Sequence, residues 1–463
     1  MKNILIVLPD IFAIRNFLEA PFTKMNFKEN DVRVVFVLSN PKKYRNKITG
    51  NNSIVLENIK YPRRKKGFKK YLDKLFLRIN KFLNAALEYR FNKLNKLRHQ
   101  IIKEQMHKKY ILDKRHDSFN FLIKYPFPKS RMLYKLFYSI YNSNLFIENR
   151  TKDIINKYLP RLIIVANCQK AEVRSYTIEA ERRNVKCFGF INSWDHLTTD
   201  GPVLKNIDEF ISWNQRMEYE LKNIQRTNKS VHNIGPIQMD SSFIKGNILN
   251  KNSLYNKISI EKNKKIIVFG VYNKRLGSHE PSITNYIVEN ILDKYNIHLI
   301  IRGHPKDATF YERYERFINH QNVTLCKAGE YINGKMRKKI NDQILLNSVL
   351  KHASLVICGP TTLTLDALRF NKPIINIEFD GDLKLPPENS IRKRYKWEHY
   401  SPLLKYNAIY FVKNYQELEK AIKKSLEKPR ELDEGRKLLR QMYLEPLDGQ
   451  ASNRLFNLII NLL

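Results

Sequence analysis

Short apolar runs alternate with helix-length amphipathic segments along most of this chain, and the alternation stops once and starts again. In the first half, residues 3–9, 31–38, 161–168, 185–191, 209–213 and 231–235 are rich in Ile, Val, Leu and Phe and have the length of buried strands. Charged segments of helical pattern lie at 171–183 and 215–226. From 236 to about 264 the chain turns polar and rich in Asn, Lys and Ser, the signature of a linker. Strand-like runs resume at 265–272, 297–302, 323–326, 355–358, 373–379 and 408–412, with helices expected near 282–294, 342–352, 362–369 and 415–426. Strand–helix alternation predicts parallel sheets covered on both faces, and 463 residues exceed one ordinary core. The expected class is α/β, with two Rossmann-like domains, 1–240 and 241–463, facing each other across a cleft. The segment 449–463 carries an apolar stripe and is expected to reach back to the first domain.

Composition narrows the class further. With 43% hydrophobic and 28% charged residues the chain is globular. Its cysteines (Cys168, Cys187, Cys326, Cys358) lie on or beside apolar runs with no CxxC pair, which predicts buried free thiols of a reducing compartment and no structural metal. The opening Met1–Pro9 is followed by Asp10 and lacks a small-residue cleavage site, so it reads as a strand and not a signal peptide. No window approaches about 18 uninterrupted apolar residues, so a membrane span is not expected. The expected location is cytoplasmic, with a peripheral place on the inner face of the plasma membrane as the second expectation.

Much of the excess behind the formal charge of +38 lies between Lys60 and Arg115. Arg63–Lys66, Lys69 and Lys70 open a stretch in which Leu72, Leu75, Phe76, Ile79, Phe82, Leu83 and Ala86 recur at helical spacing, with Lys74, Arg78 and Lys81 between them. A basic, mostly helical insertion at about 60–158 is the expectation. Its charge has three readings: contact with an anionic membrane surface, a lysine-rich solvated face, or nucleic acid. Nucleic acid is the weakest, because no RNA-recognition motif, zinc spacing or aromatic–basic interleave accompanies the charge.

Two strand ends carry the chemistry. The run 297–302 delivers Arg302 and His304-Pro305 at its carboxyl end, where ligands of open α/β sheets bind. The run 355–358 passes through Gly359-Pro-Thr361-Thr362 into a helix with Thr364 in its first turn, an arrangement suited to phosphate. Lys274 and Arg275, in a Gly-flanked loop after the run 265–272, are further phosphate candidates. The alternatives are a turn-forming His-Pro, simple capping threonines and a plain surface loop.

Four stretches together resemble the GT-B class of glycosyltransferases, most closely bacterial surface-polysaccharide enzymes such as the CDP-glycerol glycerophosphotransferases and capsule-assembly transferases. They are Ser193-Trp194-Asp195-His-Leu-Thr-Thr-Asp-Gly201, Ile234-Gly235-Pro236-Ile-Gln-Met-Asp240, Arg302-Gly-His304-Pro305 and Gly359-Pro-Thr361-Thr362-Leu-Thr-Leu-Asp366. Gly359-Pro360 stands where the glycerophosphotransferases tend to show an acidic residue. The resemblance implies a nucleotide-activated donor, sugar or CDP-glycerol type, bound by the carboxyl-terminal domain as a substrate, with no further cofactor. Thr361, Thr362, Gly359, Arg302, Lys274 and Arg275 would hold its phosphates and Asp366 its ribose, while His304 relieves charge on the leaving phosphate. Asp195 is the first candidate for the base that deprotonates an acceptor hydroxyl, followed by His196 and Asp200. Carboxylates at metal-ligand spacing are absent from the sequence, which favours a metal-independent reaction. The implied product is a polysaccharide or lipid-linked precursor carrying a new glycosyl or glycerophosphate group. Non-hydrolysing nucleotide-sugar epimerases share part of the pattern and form the alternative, and a non-enzymatic RNA- or polysaccharide-binding protein is the reading from another class.

Overall fold

The computed structural model describes residues 1–48, 50–60, 67–94, 131–145, 147–327, 330–333, 336–339, 341–386 and 389–463. Arg63–Lys66, the most basic run of the expected insertion, and residues 95–130 lie outside the described residues. The chain divides into two units: Met1–Asp240 with Pro446–Leu463, and Ser241–Glu445.

The first unit is built on β1 (Lys2–Leu8), β2 (Val32–Leu38), β3 (Ile54–Asn58), β4 (Leu162–Ala166), β5 (Lys186–Phe190), β6 (Glu209–Ser212) and β7 (Val231–Asn233). They pair in the order β3-β2-β1-β4-β5-β6-β7, all in parallel, so the winding direction reverses between β1 and β4. Ile4 to Leu8 and Val34 to Leu38 are wholly buried, as strands covered on both faces must be. The helix Ala451–Asn461 completes this core: Leu455 and Ile459 pack with Ile4, Phe22 and Phe27.

The second unit holds β8 (Lys265–Gly270), β9 (Ile297–Arg302), β10 (Val323–Lys327), β11 (Glu330–Asn333), β12 (Met336–Lys339), β13 (Leu355–Cys358), β14 (Ile374–Ile377) and β15 (Tyr410–Val412). Their order is β12-β11-β10-β9-β8-β13-β14-β15, with the reversal between β8 and β13. A parallel α/β sheet in each unit agrees with the strand–helix alternation of the sequence.

Several details depart from the sequence reading. β3 was not anticipated, because only Ile54 of its five residues is fully buried and the run carries no alternating signal. β11 and β12 form an antiparallel hairpin on the edge of an otherwise parallel sheet. Three of the four residues of Met336–Lys339 are basic, so the strand gave no apolar signal. The polar stretch 236–264 is not a bare linker: Asn250 caps a helix, Lys251–Lys257, that buries Leu254 and Tyr255. The helix Asp433–Leu444 was hidden by Gly435, whose missing Cβ lets the Asn407–Ala408 backbone approach closely.

The basic helix Phe68–Leu94 docks through polar groups and not through its predicted stripe. Asp73, Asn80, Leu87 and Phe91 are buried, whereas Leu75 is exposed and Leu72, Phe76 and Ile79 are half-buried. Asp73 accepts from the Asn149 amide (2.8 Å) and Asn80 from Arg174 (2.9 Å). Lys69 and Lys81 pair with Asp153 and Glu172. All four cysteines are buried free thiols. Among the described residues no helix is long and apolar enough to cross a membrane.

Candidate functional site

At the reversal of the second sheet, the strands β8 and β13 run side by side and parallel, with Gly270 opposite Cys358, so their following turns are neighbours. Tyr272 and Gly359 touch there. The Tyr272 hydroxyl donates to the Pro360 carbonyl (2.5 Å), and a Cβ on Gly359 would come within 2.6 Å of the Tyr272 ring. No side chain larger than hydrogen fits at that position. Thr361 and Thr362 follow at the surface of the turn; the Thr361 hydroxyl accepts from the Leu363 amide (3.2 Å), and Thr362 stands at the start of the helix Leu363–Arg369. Behind them Asn376, Thr364 and Tyr400 form a buried network: the Tyr400 hydroxyl donates to Asn376 Oδ1 (2.7 Å), and Asn376 Nδ2 donates to the Cys358 carbonyl (3.1 Å).

The turn after β8 is held from beneath. Glu280, completely enclosed, accepts the Tyr272 amide at 3.1 and 2.9 Å. Burial pushes its carboxyl up to about 8 against the pull of Arg313. Arg313 donates to the Tyr272 carbonyl (2.9 Å), the Gly277 carbonyl (2.5 Å) and Asp307 (2.7 Å). Arg394 lies 4.8 Å from the Tyr272 ring centroid and donates to the Leu276 carbonyl (3.2 Å). The loop bearing Lys274 and Arg275 is thus tied at both ends, with those two side chains exposed at its tip.

In the turn after the neighbouring strand β9, the half-buried His304 accepts the Lys306 amide at Nδ1 (3.1 Å). Burial, then Lys306, holds the ring below its ordinary pKa, so it is neutral at physiological pH with its proton on Nε2. That N–H is a hydrogen-bond donor at the carboxyl end of the sheet. Arg302 differs: both oxygens of Asp342 take its guanidinium, at 2.7 and 2.9 Å, and Cys326 takes another N–H. Its charge is already neutralised, which makes it a support of the strand end and a poor phosphate ligand. Asp366 is one turn beyond Thr362 and 4.0 Å from Arg369.

In the first unit the carboxyl ends of β1, β4 and β5 are sewn together by side chains. Asp10 caps the helix Ile11–Leu18 through Phe12 and Ala13 and accepts from Asn167 (2.8 Å), which is itself left-handed at φ 57°. Asn16 donates to Asn192 at both its carbonyl and its side-chain oxygen. Beyond Asn192, Ser193 donates to Asp195 (2.7 Å), and Asp195 leads into the short helix His196–Thr199. Asp200 pairs with Lys170 at 2.9 Å, and His196 Nε2 is 3.9 Å from Asp200. Gly201, at φ +91°, lies under the backbone of Glu88, so the basic helix packs directly on this turn.

The three candidates of the first unit therefore lie within six residues at one sheet end, but not equally placed. Asp200 is neutralised by Lys170, which lowers its worth as a base; Asp195 is held by a serine hydroxyl. Sequence reasoning missed Glu220, on the helix Gln215–Asn223 after β6. Burial pushes its carboxyl up to about 7, against Arg216 (3.0 Å) and with repulsion from Asp195. The only sequence signal was the Arg216–Glu220 spacing of one helical turn, which is common on solvated helices.

No family model matches the sequence, and no curated protein matches it. Solved structures match over the whole chain. The S. aureus MnaA–UDP co-structure is 12% identical with a TM-score of 0.57, covering 100% of this chain and 98% of its own. The UDP-GlcNAc 2-epimerase from Neisseria meningitidis bound to UDP-GlcNAc is 10% identical, TM-score 0.54, covering 99% and 100%. That from Methanocaldococcus jannaschii is 12% identical, TM-score 0.53, covering 99% of both. The fold is of the GT-B type. In a GT-B chain the residues just described are the carboxyl ends of the two parallel sheets, the places where such sheets take ligands. Sequence pattern could point to positions at or just after strand ends, such as Asp195, His304, Gly359, Thr361 and Thr362, from the apolar runs alone. It could not find Tyr272, Glu280 or Arg313, whose roles come from packing under a turn.

Proposed function

We propose that this chain is an enzyme acting on a nucleotide-activated sugar, and that its reaction is epimerisation of that sugar without hydrolysis. The observation that carries the reading is the reversal between β8 and β13, which sets Tyr272, Gly359 and Thr361–Thr362 beside one another, with the neutral His304 in the turn after the next strand. A narrow glycine turn, two hydroxyls, an imidazole N–H and the exposed cations Lys274 and Arg275 suit a diphosphate. The full-length likeness to structures described as UDP-GlcNAc 2-epimerases, with UDP-GlcNAc or UDP bound in some, supports the same ligand class. Inverting a sugar carbon requires a proton to leave and return, and Asp195 is the acid–base residue assigned to it. The transfer of a glycosyl group to a hydroxyl is the second reading, favoured by the motif pattern of Ser193–Gly201 and Arg302–Pro305.

One experiment separates them. The protein is incubated with UDP-GlcNAc in deuterium oxide, without acceptor, and followed by NMR. The epimerase reading expects a second sugar–nucleotide with solvent deuterium at the inverted carbon. Turnover that appears only when a hydroxyl acceptor is supplied would replace it with transfer. Failure of UDP, GDP, CDP and CMP alike to raise thermal stability would remove the nucleotide site itself.

A further inference from the structure

The first unit contains a cavity of about 410 Å³ whose lining includes none of these residues. It lies where the loops 202–207 and 224–229 enter β6 and β7, the amino ends of those strands, whereas Asp195 follows the carboxyl end of β5. Its floor is apolar: Phe91, Leu204, Ile207 and Phe210 are all buried. One wall is the helix Arg131–Tyr141, which presents Tyr134 and Tyr138 stacked at 5.9 Å and 13°. The wall is fixed, because the Tyr138 hydroxyl donates to the Val203 carbonyl (2.8 Å) and the Val203 amide to Gln225 (2.9 Å). Gln225 in turn donates to the Leu197 (2.7 Å) and Gly201 (3.0 Å) carbonyls. Five cations, Arg131, Lys135, Lys205, Arg226 and Lys229, stand among the lining residues, and none of the described lining residues is acidic.

An apolar floor under a ring of five cations selects its ligand by two terms at once. Burial of a hydrocarbon body supplies affinity, and the cations fix an anionic head at the mouth. The volume is in the range of pockets that enclose small ligands, roughly 300–1,000 Å³. On the same helix Met132, Leu136 and Ile140, one turn apart, are 78%, 51% and 36% exposed, beside Arg131 and Lys135. An apolar stripe flanked by cations is what a helix offers to an anionic bilayer.

We propose that this cavity binds an anionic amphiphile, an alkyl or isoprenoid chain ending in phosphate, with the chain against Phe91, Ile207 and Phe210 and the phosphate among Arg131, Lys135, Lys205, Arg226 and Lys229. The assignment does not depend on the reaction proposed above. Such a molecule arrives either as a monomer or from a membrane leaflet, and the chemistry of recognition is the same.

The test uses the full chain and decyl phosphate below its micelle concentration, titrated calorimetrically, with decyl maltoside and inorganic phosphate as comparisons. Decyl phosphate is expected to bind, and the other two to bind at least tenfold more weakly, since each supplies one of the two terms. Arg226→Glu with Lys229→Glu, both exposed on the rim, is expected to weaken decyl phosphate about tenfold or more. Ile224→Trp, which fills the cavity without touching charge, is expected to do the same, and an unchanged thermal transition shows each variant folded. Sedimentation with phosphatidylglycerol against phosphatidylcholine vesicles then gives the source. Loss of phosphatidylglycerol binding in the rim variant assigns the bilayer, and absence of vesicle binding with decyl phosphate retained assigns the monomer. Equal affinity for decyl maltoside, equal affinity for inorganic phosphate, or unchanged decyl phosphate affinity in both variants overturns the proposal.

Discussion

Glu220 and Asp195 are two neighbouring carboxyls in different surroundings: one is enclosed beside Arg216, the other sits at a strand end with a serine hydroxyl. Burial is the larger cause of the upward shift at Glu220, and the charge of Asp195 adds to it. Because the folded value lies above the unfolded one, Glu220 favours the fold below the ordinary carboxyl range and ceases to do so as pH rises through about 7. Replacing Asp195 by Asn removes one raising cause, so the Glu220 titration is expected to move down, read by carbon NMR of the labelled carboxyl. The same variant is expected to lose at least about a hundredfold in rate, the usual worth of a general base. A Glu220 titration that does not move would show that the two carboxyls are not coupled.

The turn from Tyr272 to Gly277 is ordered by an element that follows it by more than thirty residues. Arg313 supplies three donors to it and to Asp307, from a side chain 7% exposed. Removing one partner of so enclosed a group leaves the others unpaired, at a cost of about 3–5 kcal/mol. Arg313→Met is therefore expected to free the turn before it unfolds the unit. Lys274 and Arg275 are its exposed tip and are trypsin sites, so limited proteolysis there should accelerate by roughly tenfold for each 1.4 kcal/mol of local stability lost. Nucleotide affinity should fall in parallel if the turn holds phosphate. Cleavage at the parental rate would show that Arg394 and Glu280 alone keep the turn closed.

The chain closes the first unit with its last residues. Asp240 accepts from the Ala451 and Ser452 amides (3.3 and 2.6 Å), and Arg454 donates to the Ile234 carbonyl (2.8 Å). Leu455 and Ile459 then fill the core formed by β1 and β2, and Phe456 meets Phe27 edge-on at 5.1 Å. Ile459→Ala is expected to cost about 2–5 kcal/mol as a buried cavity. Its effect should be local to the unit it completes: hydrogen exchange should accelerate in Lys2–Leu8 and Val32–Leu38 while Lys265–Gly270 and Leu355–Cys358 keep their protection. Equal acceleration in both sheets would mean that the two units unfold as one.

The class of fold was written in the sequence because parallel strands are buried on both faces and so read as unbroken apolar runs, such as Ile297–Arg302 and Leu355–Cys358. Strand ends follow from the same runs, which is why His304, Asp195 and the Gly359 turn could be picked out by position. What has no run has no signal: β3 is an edge strand with one buried residue, and the β11–β12 hairpin has only the short run Tyr331–Ile332 to announce it. The phosphate role read into Arg302 shows the limit at the level of one side chain. Its place at a strand end was legible, but Asp342, forty residues on, decides that its charge is spent. The same holds for Glu220, whose proton affinity comes from enclosure by residues of other elements, and for the cavity beneath Tyr134 and Tyr138, whose floor and rim are drawn from four separate stretches. Local pattern records which residues a strand or helix buries; which charges meet, and which stay unpaired, is settled only when distant segments are packed together.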